Sequence, residues 1–185
     1  MHSLKKFPLI HQIVNCQKST NWDLGNNVLY DLCENNFDHS SDQKIIAKVW
    51  LIGRVYAAAI ERRRINDYQI NDEFYSKSVV SAFQKSRIDP LLKLLKTSEI
   101  TFETIPSILI AHYTICNEIY EITKLRKRSF SSKYLHFHLP RLFFIYDTRS
   151  VNAIRDIVGE LPKSFPVDIL NEAQDKEYAL FFLKC

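Results

Sequence analysis

The chain has 185 residues and a mass of 21.8 kDa, with 46% hydrophobic and 25% charged residues, which suits one globular core and excludes a disordered polymer. Three glycines in all (Gly25, Gly53, Gly159) exclude a GxxxxGK[ST] or GxGxxG phosphate loop, and also a turn-rich sandwich or barrel. The formal charge is +4, no apolar run approaches the ~18 residues that span a bilayer, and MHSLKKF has no signal-peptide h-region, so a soluble, cytoplasmic protein with no membrane partner is expected.

In chain order, residues 4–15 place Leu4, Phe7, Ile10 and Val14 at helical spacing, interrupted at Pro8. Leu24, Val28, Leu29 and Leu32 mark a second helix, followed by the polar loop ENNFDHSSDQ. Ser41 can cap a long helix over 42–63, whose stripe runs Ile45, Val49, Ile52, Tyr56, Ala59 and on to Arg63. Arg63 on that stripe must find a carboxylate or a phosphate, and Arg54 and Glu61 share the opposite face. Asn71 or Asp72 caps a helix with Phe74, Val79, Val80 and Phe83. Asp89-Pro90 reads as N-cap and first helical residue of LLKLLK, and Pro106 opens a helix with Ile108, His112, Ile115 and Ile119 on one face. His112 there reads as a core histidine bonded to backbone. Asp147 caps a helix to about Val158 with Gly159 as its C′ residue, and the tail 166–184 is helical. The stretch Leu142–Tyr146 is the best strand candidate, short and isolated. The expected fold is all-α: residues 1–185 as a single compact domain of about seven to nine helices.

Cys16, Cys33, Cys116 and Cys185 form no CxxC pair and read as free thiols, and no metal or cofactor is expected. His136 and His138 point apart on a helix, so they do not share a metal.

The informative segment is 122–146. It holds Lys124, Arg126, Lys127, Arg128, Lys133 and Arg141 with no Asp or Glu, a local field that attracts phosphate. Phe130, Tyr134, Phe137, Phe143, Phe144 and Tyr146 are interleaved with these cations, a mixture that holds phosphates and stacks bases. Pro140 ends the first helix of this region, and Asp147 stands at the N-terminus of the next.

Residues 125–154, with the basic Arg126-Lys127-Arg128-Ser129 between helices and then Phe143-Phe-Ile-Tyr-Asp147-Thr-Arg-Ser-Val151, resemble the core of the helix-hairpin-helix DNA glycosylases. The resemblance implies a hairpin gripping DNA backbone and a catalytic aspartate at Asp147. It also implies a lysine nucleophile at Lys127 or Lys133, which precede Asp147 by 20 and 14 residues. The expected nucleic-acid contacts are Lys124, Arg126, Arg128, Tyr134, His136 and Arg149, with DNA favoured over RNA. Where that family's hairpin is glycine-rich, this chain has none. A second reading therefore keeps the fold without the chemistry: a nucleic-acid-binding or adaptor subunit with a protein partner in a larger bacterial complex, such as an antiviral defence system.

Overall fold

In a computed structural model, the residues described are 20–63, 71–158, 160–161 and 167–185. Every regular element among them is helical, as the sequence pattern requires. Helix α1 (Asn21–Asn35) starts at a capping box, in which the Thr20 hydroxyl accepts the Asp23 N–H and the Asp23 carboxylate accepts the Thr20 N–H at 2.6 Å. Helix α2 (Asp42–Val55) buries Ile45, Val49 and Ile52. Helix α3 (Asn71–Glu73) passes through a π-helical stretch (Phe74–Val79) into α4 (Val80–Lys85). Then come α5 (Ile88–Leu95), α6 (Ile105–Thr123), α7 (Arg128–His138), α8 (Thr148–Val158), α9 (Val167–Glu172) and α10 (Lys176–Lys184). No helix among the described residues is long and apolar enough to cross a membrane.

Helix α7 is the axis of the fold. It packs against α1, α2 and α6, and Phe130–Leu135, Phe137 and His138 are all buried. A helix buried on every side belongs to a core. Beyond Pro140, Leu142 and Phe143 are also buried, while Tyr146 N–H donates to the α7 hydroxyl Ser132 Oγ at 2.9 Å. That bond ties the extended stretch to α7 and delivers Asp147 to the start of α8. Residues 142–146 pair with no other strand among the described residues.

Several expectations are corrected. The long helix stops at Val55 instead of running to residue 63. Tyr56 is its C-cap, Ala57 turns to a left-handed φ of 51°, and Ala58 N–H bonds to Gly53 O at 2.8 Å. The chain folds back so closely that a Cβ on Gly53 would stand 3.1 Å from Ala59 Cα, which is why glycine is needed there. The apolar stripe therefore never reaches Arg63, which is exposed and has its own left-handed φ of 62°. Arg54 and Glu61 do meet, at 2.5 Å, across this turn. Helix α5 begins at Ile88, one residue before Asp89, because the Asp89 carboxylate is drawn to His39. The tail breaks into α9 and α10, with Asp175 capping the second at Tyr178 N–H. The helix expected over residues 4–15, Cys16 and the C′ role of Gly159 lie outside the described residues.

Candidate functional site

The basic segment becomes the four-residue link, 124–127, between α6 and α7. Lys124 takes the left-handed φ of 58° that a glycine commonly carries at helix ends, and its N–H closes α6 on Tyr120 O at 2.7 Å. Across from this link lies the turn after α2. Lys127 Nζ donates to Arg62 O at 2.8 Å and joins the two walls. Between them opens a cavity of about 450 Å³ lined by Ala57–Ala59, Arg62, Arg63, Arg126, Lys127, Arg128, Ser129, Phe130 and Tyr146. Five of those residues are cationic and none is acidic.

The five cations are not equivalent. Arg128 is held by Asp175 at 2.7 and 3.0 Å and by Glu177 at 2.7 Å, so its charge is largely neutralised inside the fold. Burial pulls the Lys127 ammonium below its usual range, and Arg63 adds to this while Glu61 opposes it. Arg62, Arg63 and Arg126 pair with no carboxylate among the described residues. The first turn of α7 supplies Arg128, Ser129 and Phe130 to the same wall, and the first amide committed within the helix is Ser131 N–H, on Lys127 O at 2.9 Å. The dipole of α7 therefore adds to the field of the arginines.

The Lys133–Asp147 pair adjoins this cavity through Ser129. Lys133 Nζ donates to Ser129 Oγ at 2.7 Å and stands 3.4 Å from Asp147 Oδ2. Asp147 Oδ1 accepts the N–H of Ser150 at 3.0 Å and its hydroxyl at 3.1 Å, the bonds of an N-cap on α8. Burial lowers the Lys133 pKa, although Asp147 pulls it up. For Asp147, burial is the largest single influence and raises the pKa, but the Ser150 and Lys133 contacts together outweigh it and lower the value.

The other predicted contacts scatter. Tyr134 is fully buried and its hydroxyl bonds to His39 Nε2 at 2.7 Å, so it is removed from the nucleic-acid set. His136 has both ring nitrogens engaged, by Tyr30 OH and Phe143 O at 2.8 Å each. Lys127 lies with the arginines, away from the aspartate, so Lys133 is the lysine brought to Asp147. Lys124 is exposed and paired with Glu121, and Arg149 is exposed at the start of α8.

Two buried polar groups were not foreseen. Lys48, on the α2 core stripe, donates to Asn36 O at 2.7 Å and Asp38 O at 3.0 Å and reaches His138 Nε2 at 3.2 Å. Burial brings its pKa down to about 8. His39 sits between Tyr134 and Asp89, with its Nδ1 2.5 Å from the carboxylate. A signal for Lys48 existed: positions 45, 48, 49 and 52 form one i, i+3, i+4, i+7 core face. His112 is in the core as expected, but neither ring nitrogen has a hydrogen-bond partner among the described residues. It stacks instead on the Tyr178 ring, centroids 3.4 Å apart, and burial pushes its pKa down to about 3. Cys33, Cys116 and Cys185 are free thiols, and no group of three His, Cys, Asp or Glu suited to a metal occurs among the described residues.

Comparison with protein-family models, with curated proteins and with solved structures finds no match to this chain.

Proposed function

We propose that this protein binds nucleic acid, DNA before RNA, by seating backbone phosphate in the basic cavity at the N-terminal end of α7. The observation that carries the reading is a lining of five cations with no carboxylate, in which three arginines lack an acidic partner among the described residues. Unpaired guanidinium groups converging on a helix N-terminus match a phosphate in both charge and geometry. Whether the protein works alone or as a subunit beside a protein partner, this surface is its grip. The test is fluorescence anisotropy of a labelled duplex at low salt with the wild type, Arg63→Glu and Arg126→Glu. Each charge reversal should weaken binding by at least about tenfold; equal affinities would end the reading.

A second reading, base excision, is favoured by one geometric fact: Lys133 and Asp147 lie 3.4 Å apart beside the cavity. In that reading Asp147 stabilises the positive charge that develops on the sugar as the base leaves. Alkali treatment of duplexes with modified or mismatched bases reveals abasic sites. Wild-type cleavage that Asp147→Asn abolishes would support excision, whereas absence of cleavage in every duplex leaves the binding module.

A further inference from the structure

The C-terminal end of α7 carries a second cavity, unlike the first. It measures about 370 Å³, within the range of small-molecule sites. Tyr30, Phe37 and Phe137 give it three aromatic walls, and Leu139 and Leu142 are apolar neighbours. His138 also lines it, but the Nδ1 and Nε2 of that ring are already engaged by Tyr134 O and Lys48. The wall is thus held rigidly from behind by the buried polar network.

Arg141 also lines this cavity, and the remaining charges lie to one side. Phe37, Glu34 and Lys96 also line an adjoining hollow with Ser40, Ser41, Lys44 and Lys93. Three lysines converge there at the first turn of α2, whose N-cap Ser41 makes no side-chain cap hydrogen bond. Lys96 Nζ stands 4.7 Å over the Phe37 ring and so marks the seam between the aromatic and cationic halves. Of the carboxylates at the seam, Asp38 is occupied by Ser40 N–H and its hydroxyl, while Glu34 has no partner among the described residues.

A flat ring beside an anion is what such a surface complements. We propose that this double hollow is a nucleotide site. The base lies against the half-buried rings of Tyr30 and Phe37, the phosphate lies on Lys44, Lys93 and Lys96, and Glu34 accepts from a base N–H or a sugar hydroxyl. Aromatic faces stack on any base, and ammonium groups hold phosphate as point charges. The site goes beyond the phosphate grip at the other end of α7, since a free nucleotide and an unstacked nucleotide of a strand offer the same ring and phosphate.

Two arms test it with the full chain. In the first, isothermal titration compares adenosine monophosphate with adenosine and with ribose phosphate. In the second, a single-stranded oligonucleotide carries one fluorescent purine analogue. Phe37→Leu keeps the apolar filling and removes the ring, and Lys96→Gln removes the charge. Phe37→Leu should weaken binding by at least about fivefold, the low end of what removing a base–aromatic stack costs, and Lys96→Gln should weaken binding of the phosphate-bearing ligands as well. The effect in the first arm identifies a free nucleotide, and in the second a strand. Binding in neither arm, or binding indifferent to both substitutions, overturns the proposal. The nucleic-acid reading fails separately, by absence of duplex binding.

Discussion

Lys133 and Asp147 are 14 residues apart in sequence and 3.4 Å apart in space, and they share their burial unequally: the lysine side chain is 3% exposed and the aspartate 33%. The lysine is therefore the desolvated partner, and the aspartate is both its counter-charge and the N-cap of α8. Asp147→Asn keeps the cap, because Asn caps about as well as Asp, but leaves the ammonium without its neutralising charge. Solvent at the aspartate screens the loss. We expect a cost of about 1–2 kcal/mol in urea melts, below the ~3–5 kcal/mol of a fully buried broken pair. Lys133→Met in the same background should recover most of it. A silent Asp147→Asn would show that the pair is solvated.

The Asp147 pKa is lowered in the folded state, so its contribution is present above the unfolded value of 3.8 and is lost as pH falls through the folded one. The histidines act over a different window. His39, His112, His136 and His138 all have folded pKa values below the usual 6.5, burial being the largest cause for each. Below about pH 6.5 the unfolded chain binds protons that the folded chain refuses, so stability must fall as pH drops. Each such group costs up to about 1.4 kcal/mol per pH unit in that window. The urea midpoint should decline from about pH 6.5 downward, and His112→Phe should flatten the decline. A flat midpoint from neutral pH down through that window would contradict the burial of these rings.

Gly53 sets two opposing effects against each other. Alanine in a helix interior gains about 1 kcal/mol over glycine, but here its Cβ would meet backbone, Ala59 Cα, at 3.1 Å. Backbone yields less readily than a flexible side chain, so the clash should win. Gly53→Ala should lower stability by about 1 kcal/mol and displace the 57–63 wall of the basic cavity. A stabilised variant with unchanged duplex affinity would show that the turn adapts.

Lys124 carries a left-handed backbone penalty, offset by an exposed ion pair to Glu121 and a contact of its ammonium with the Tyr120 ring at 5.5 Å. Lys124→Gly should raise stability by up to about 1 kcal/mol. Differential scanning calorimetry decides the sign, and a lower melting temperature would contradict the capping account.

The helix stripes of Ile45, Val49 and Ile52 and of Ile108, Ile115 and Ile119 made the all-helical fold legible, because 3.6-residue periodicity is a local property. Asp147 as a helix start was legible for the same reason. The end of α2 was not, since the left-handed turns at Ala57 and Arg63 use residues that carry no turn signal. Nor was the removal of Tyr134 from the surface, which depends on His39 and Asp89, distant from it in sequence. The 124–133 cations were visible as a cluster, but their division into neutralised and unpaired charges depends on Asp175 and Glu177 far down the chain. Arg62 and Arg63 joined the cavity only because α2 ended early.

If the basic cavity grips phosphate, duplex binding must depend on salt through its arginines. Affinity is measured from low to moderate salt for the wild type and for Arg62→Gln, Arg63→Gln and Arg126→Gln, singly and together. The slope of log K against log salt should flatten by about 0.9 for every phosphate that is no longer neutralised, cumulatively across the three. A triple variant with the wild-type slope, or a wild type that binds no duplex at low salt, would contradict the account.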